Sequence, residues 1–237
     1  QGVPFRITPD MQMYYDGTFF GLLNPFALLC GLVSVAMLTM HGATWLVLKT
    51  EDPVEGRARR WGMAAAVLTT VLYALAGLVL FKLVSGYQLS SEVTAGGASN
   101  PLFKSAAHAS GAWFNKYRSY GALMLVPAVG LAAPLLAAFA LLLRQPLAAL
   151  LASAAGIAAI IGSVGVSMSP FILPSSIDPS ASLTVWDSSS SHLTLFIMLG
   201  CAVIFMPIIL AYTSWVFSIL RGKVKADDIR NGAGHAY

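Results

Sequence analysis

Charged side chains are scarce in this chain. It holds 14 Lys and Arg and 10 Asp and Glu in 237 residues, 10% in all, where a soluble domain carries about 25%. Too little polar surface is present to face water on every side. Cysteine is nearly absent, and Cys30 and Cys201 both sit inside apolar runs. They read as small packing residues rather than a disulfide framework. No phosphate loop, Cys-x-x-Cys or His-Glu-x-x-His pattern occurs, so the motifs of soluble enzymes lend no support to catalysis carried wholly by this chain. Acidic residues are missing from every long apolar run, which excludes a transmembrane proton wire of carboxylates built from this chain alone.

What is present is apolar length. Hydrophobic residues make up 57% of the chain, and a helix needs about 20 of them in a row to cross the hydrocarbon core. Five stretches qualify, at about 19–47, 62–84, 120–143, 147–166 and 193–220. Their continuous apolarity, without alternation, predicts helices, and an open sheet edge cannot persist in lipid. The expected fold is therefore all-α: one integral membrane helical domain over residues 1–237 with about five spans. Arg144-Gln145-Pro146 is the whole link between the third and fourth spans, a tight hairpin with Pro146 set to begin a helix. Pro127, Pro134 and Pro207 fall inside spans, where kinks are expected. The chain opens on Gln1-Gly2-Val3-Pro4 with no initiator Met, and reads as the interior of a longer protein.

Lys and Arg set the expected orientation. With Gln1 outside, the inner side receives Lys49, Arg57, Arg59, Arg60, Arg144, Arg221, Lys223, Lys225 and Arg230. The outer side receives Arg6, Lys82, Lys104, Lys116 and Arg118. That asymmetry predicts a cytoplasmic C-terminus. The net charge of +4 thus reflects membrane topology, and no nucleic-acid partner is expected. The outer loops run over 85–119 and 167–191. The second carries Trp186, suited to the membrane interface, and Asp187, which is expected to close the loop or cap the last helix. Ser188 to Ser191 offer further N-caps.

Within the first span, Cys30, Ser34, Met37, His41 and Trp45 recur at helical spacing. An ionisable group inside a span is a functional candidate by default, and Met and His are haem-ligand types. A polar stripe packed on a neighbouring helix is the commoner meaning. His41 and Trp45 are nonetheless the residues expected to lie nearest a bound quinone or a subunit interface, and no metal ligation is expected of the chain. Ala148, Ala152, Ala155, Ala159 and Gly162 form a small-residue stripe on the fourth span, expected to pack closely within the bundle or against a partner.

Several longer motifs carry a family resemblance. Asn24-Pro25-Phe26-Ala27-Leu28-Leu29-Cys30-Gly31 is followed by Leu38-Thr39-Met40-His41-Gly42-Ala43-Thr44-Trp45-Leu46. The outer loop adds Pro174-Ser175-Ser176-Ile177-Asp178-Pro179 and Ser182-Leu183-Thr184-Val185-Trp186-Asp187, and the last span adds Pro207-Ile208-Ile209-Leu210-Ala211-Tyr212-Thr213. Together they closely resemble the C-terminal portion of subunit II of cytochrome bd-type quinol oxidases, with N-terminal spans of the family absent. The resemblance implies a complex of the bacterial inner membrane that oxidises quinol and reduces dioxygen to water. It implies haems b and d and the quinol site in a partner subunit I, a bound quinone in some members, and small accessory subunits and membrane lipids as further partners. A secondary transporter or channel subunit, or a purely structural membrane scaffold, is the alternative reading of the residues.

Overall fold

A computed structural model describes residues 1–91, 99–219 and 222–223. Five helices are long and apolar enough to cross a membrane. The first, α1 (Pro25–Lys49), starts where Asn24 Oδ1 accepts the Ala27 N–H at 2.8 Å and Pro25 takes the first helical position, which suits Pro because that N–H has no intrahelical partner. The expected start at Phe19 is therefore too early: Phe20–Leu22 is a separate 3-10 turn.

The second helix, α2 (Val54–Leu83), begins eight residues before the expected Gly62. Asp52 Oδ1 accepts the Gly56 N–H at 3.1 Å. Glu55, near the positive end of the helix dipole, pairs with Arg59 one turn on. The apolar run marked only the lipid-embedded part of this helix, and its polar first turns extend beyond that part.

A short α3 (Asn115–Ser119) precedes α4 (Leu125–Leu142), entered through a 3-10 turn at Gly121–Met124. The link to α5 (Pro146–Met168) is a Schellman motif. Gln145 N–H donates to Ala140 O at 2.9 Å and Arg144 N–H to Leu141 O at 3.2 Å, with Arg144 left-handed at φ 57°. The last helix is α6 (His192–Ile219). Its first turn is capped by Ser191, whose Oγ accepts the Thr194 N–H at 3.4 Å. Pro127 lies in the first turn of α4, and helices α4 and α6 continue through Pro134 and Pro207.

Helices α1, α2, α4 and α5 close a ring in which each packs on two neighbours: α1 on α2 and α5, α4 on α2 and α5. Its core is stacked in layers. Val47, Ala58, Ala140, Leu141 and Ala149 fill one end; Met40, Ala65, Ala66 and Ala137 come next; Val33, Met37 and Ile160 follow. Alanine dominates because lipid gives no hydrophobic drive between helices, so backbones must come close for dispersion to hold them. A Cβ on Gly62 would lie 3.0 Å from Ala43 Cβ and 3.1 Å from Leu141 Cδ1.

The expected small-residue stripe of α5 is one position out of register. The buried set is Ala149, Ser153, Gly156, Ile160 and Ser163. Ala148 and Ala155 are exposed, and Ala152, Ala159 and Gly162 lie at the rim. The proposed α1 stripe divides likewise: Met37 is buried and His41 half-buried, while Cys30, Ser34 and Trp45 are exposed.

Strands occur only outside the spans. β1 (Phe5–Ile7) pairs with β2 (Met13–Tyr15), β3 (Gly86–Leu89) with β4 (Ala106–Ala109), and β5 (Phe171–Leu173) with β6 (Leu183–Thr184), all antiparallel. These segments knit into one cap at the end of the ring that carries Gln1. Val3 N–H donates to Pro174 O at 2.9 Å, Ala106 N–H to Ser180 Oγ at 3.2 Å and Tyr87 Oη to Gln1 O at 2.9 Å. The cap has its own core of Val84, Tyr87, Trp113 and Phe171. Gly86 permits it, since a Cβ there would sit 2.7 Å from Ala112 Cβ and 2.8 Å from Trp113 N. Arg221, Lys225, Arg230, His235, the expected span end at Leu220 and residues 92–98 of the first outer loop lie outside the described residues.

Candidate functional site

Inside the ring, polar groups gather in two places on α5. Toward the end opposite the cap, His41 and Thr44 of α1 face Ser153. His41 Nδ1 lies 2.9 Å from Ser153 Oγ, and Thr44 Oγ1 lies 3.1 Å from the same atom. Ser153 Oγ donates to Leu150 O at 2.8 Å, and Thr44 Oγ1 donates to His41 O at 2.7 Å. Each hydroxyl carries one proton with more than one acceptor in reach, so the tautomer of His41 sets the direction of its bond to Ser153. Trp45, one residue beyond Thr44, meets Phe217 of α6 edge to face at 5.7 Å, and Lys49 Nζ sits 5.6 Å from the Trp45 ring centre.

Nearer the cap a second group joins α2, α3 and α5. Tyr73 Oη donates to Ser163 Oγ at 2.7 Å, Tyr117 Oη to Ser163 O at 2.9 Å and Ser167 Oγ to Tyr117 Oη at 3.3 Å. Between the two groups lie Met37, Met40 and Ile160, all buried. Tyr73 escaped sequence reasoning because a lone tyrosine in an apolar run looks like an interface aromatic, and Tyr117 because it stands among the polar residues of Asn115–Ser119; the recurrence of serine on α5 at 153, 163 and 167 is the one signal that could have found them.

Asp187 is buried in the cap and does not cap α6. Its carboxylate accepts the Thr184 N–H at 2.7 Å, the Thr184 hydroxyl at 2.8 Å and the Ser188 hydroxyl at 2.9 Å. Lys104 Nζ lies 2.7 Å away, with the two side chains only 3% and 6% exposed. Burial alone would raise the carboxyl, but Lys104 and the Thr184 and Ser188 donors outweigh it and hold the group below its ordinary value. Lys104 also donates to Pro101 O at 3.0 Å. The pair ties the first outer loop to the segment that leads into α6. Trp186 beside it is exposed. Of the four residues singled out in sequence, the structure thus groups His41 and Trp45 at one end of α1 and Trp186 and Asp187 in the cap, on opposite sides of the ring.

The motifs that carried the resemblance fall at these joints: Asn24 caps α1, the 38–46 run supplies Met40, His41 and Thr44, and the 174–187 run builds the cap. A sequence model of the family described as cytochrome bd terminal oxidase subunit II matches residues 1–220. The chain belongs to that family. It is 39% identical over all 237 residues to the cytochrome bd-I ubiquinol oxidase subunit 2 of Escherichia coli, covering 62% of that protein. It is 43% identical over 230 residues, 97% of this chain and 60% of the relative, to the probable cytochrome oxidase subunit 2 of Haemophilus influenzae. A cytochrome bd ubiquinol oxidase subunit 2 from Bacillus subtilis is 23% identical over 221 residues, 93% of this chain and 57% of the relative. The chain thus spans about three fifths of the length of these curated relatives.

Membership implies a haem-containing complex, so the residues present can be tested against that group. His41 is the one histidine in the described spans that faces another helix; His108 stacks on Tyr87 in the cap at 4.6 Å and His192 opens α6. Met37, the other haem-ligand type on the α1 stripe, is enclosed by Val33 and Ile160. With His41 Nδ1 engaged by Ser153 and Met37 enclosed in the core, these two positions offer no facing pair of axial ligands for a haem.

Proposed function

We propose that this chain acts as the second subunit of a quinol oxidase of the bacterial inner membrane, in which quinol oxidation is coupled to reduction of dioxygen to water. The observation that carries this reading is the family match over residues 1–220 on a chain with five span-length helices. The haems b and d and the quinol-oxidising site belong, on this reading, to the partner subunit I. Small accessory subunits and membrane lipids complete the complex.

The chain's own part is that of a rigid neighbour. The ring carries the half-buried His41 and the exposed Trp45 on α1, and this is where a bound quinone or the facing subunit makes contact. An imidazole near an aromatic ring suits a quinol hydroxyl and its flat head group. The orientation puts the cap outside and the C-terminus in the cytoplasm, supported by the Lys and Arg asymmetry.

The test is a complex purified through a tag on this chain. Dithionite should bring up reduced haem bands that co-elute with the chain, and added quinol should drive oxygen consumption. A colourless preparation of the intact chain with its membrane partners would sink the oxidase reading.

A further inference from the structure

A groove of about 520 Å³ opens on the outside of the ring between α1 and α2. Thr39, Gly42 and Leu46 line it from α1, and Val54, Arg57 and Trp61 from α2. It lies at the end of the ring opposite the cap, where the α1–α2 turn meets the bilayer surface. Thr39 to Leu46 spans about 10 Å of helix rise, so the groove runs from the surface well into the hydrocarbon.

The polar groups in it are unevenly placed. Thr39 donates its hydroxyl proton to Val35 O at 2.8 Å, so the deep part offers no hydrogen-bond donor. At the mouth stands Arg57, exposed and with no ion pair among the described residues. Two acids of the same turn are engaged elsewhere: Glu55 holds Arg59 and Lys223, and Asp52 accepts the Gly56 N–H. Trp61 is 71% exposed beside the mouth, a position typical of indoles at the lipid head-group level. Gly42 keeps the floor open, since a Cβ there would meet no atom within 4 Å.

We propose that this groove is a binding site for one anionic glycerophospholipid, with its phosphate on Arg57 and an acyl chain lying along Gly42 between α1 and α2. A cation at the mouth, an aromatic ring at head-group depth and a donor-free apolar trough match that ligand in order of depth. A ligand that needs hydrogen bonds at its buried end finds none. The site depends only on the chain spanning a membrane, and stands whether or not the complex oxidises quinol.

The test uses the complex as purified, delipidated in detergent and titrated with phosphatidylglycerol or phosphatidylcholine, with bound lipid read by native mass spectrometry. Wild type should retain one phosphatidylglycerol in preference to phosphatidylcholine. Arg57→Gln should weaken that lipid about five-fold, as expected for one interfacial cation, and Arg57→Lys should restore most of it. Gly42→Leu should abolish binding of either lipid while leaving thermal unfolding unchanged. If Gly42→Leu fails to assemble, the Arg57 pair of variants decides alone. Equal retention of the two lipids by wild type overturns the proposal. So does an Arg57→Gln variant that binds like wild type, or a photo-crosslinker at position 61 that captures a protein subunit in place of lipid.

Discussion

The four ring helices and α6 are all apolar enough to cross a membrane, yet they differ completely in how they are held. A third of the most apolar window of α5 is buried, and none of α6 is. Ring helices touch along their length through alanine and glycine. Helix α6 is fastened at its ends: Ser99 Oγ donates to Ser189 O at 3.4 Å just before it, and Trp45 meets Phe217 and Lys223 lies 3.5 Å from Glu55 at the far end. Apolar character therefore says that a helix sits in lipid and nothing about which neighbour it keeps. The choice of neighbour is made by small residues and hydroxyls, which bring backbones together and satisfy one another.

The contrast is sharpest in a pair of glycines. Gly62→Leu should destabilise the ring by about 3 kcal/mol or more, because the added side chain starts 3.0 Å from Ala43 and 3.1 Å from Leu141. Gly200→Leu on α6 meets no atom of this chain within 4 Å, so the chain itself should fold normally. If α6 is a docking helix for further spans, Gly200→Leu should still lower co-purification of the partner. Thermal unfolding and subunit stoichiometry of both variants check this. Equal tolerance of the two would erase the distinction drawn between ring and α6.

The cap provides the next largest effect. Asp187→Ala leaves Lys104 buried without its counter-ion, and breaking such a pair typically costs about 3–5 kcal/mol. Lys104→Met with Asp187→Leu should recover much of that loss. The Asp187 carboxyl titrates below its ordinary value of 3.8, so its contribution is complete above that value and disappears as pH falls through the lower, folded one. Acid-induced unfolding of the cap, followed by Trp113 fluorescence, should begin at higher pH in Thr184→Val, which removes one donor. An unchanged acid midpoint would mean that the carboxylate does not hold the cap.

A smaller effect is expected at His41→Ala. One side-chain bond to Ser153 is lost, worth about 1 kcal/mol, and the haem spectrum of the complex should keep its full amplitude. Loss of one haem band from an assembled complex would refute the division of labour proposed above. Smallest is Arg144→Gly, which relieves a left-handed residue at φ 57° and should stabilise the α4–α5 hairpin by about 1 kcal/mol. A lower unfolding temperature would show that the arginine side chain contributes more than its backbone strain costs.

Much of this architecture was legible before any coordinates. Five spans, their helical nature and the Arg144-Gln145-Pro146 hairpin follow from apolar length and punctuation. The buried faces do not. On α5 the stripe drawn through Ala148 and Ala155 misses the face buried within the ring, through Ser153 and Gly156, because in lipid both faces of a helix are apolar and alanine occurs on each. On α1 the reading caught His41 but took Cys30 and Ser34 for its companions; Thr44 and the distant Ser153 are the real ones. The strands of the cap were missed because they are only two to four residues long, too short to show alternation even where, as in Phe5–Ile7 and Phe171–Leu173, the residue types favour a strand. The Lys104–Asp187 pair joins loops far apart in sequence, and no local pattern announces it.

The cap also bears on how the protein is made. Its pieces come from before α1, between α2 and α4, and between α5 and α6, so on the proposed orientation three separate stretches must each be carried across the bilayer before they can meet. The β5–β6 hairpin, with Ser175 bonded to Phe5 and Asp187 to Lys104, arrives last and closes over the other two. On that orientation its closure needs every preceding helix of the ring to be threaded in the right direction, which would make the cap a built-in inspection of membrane insertion.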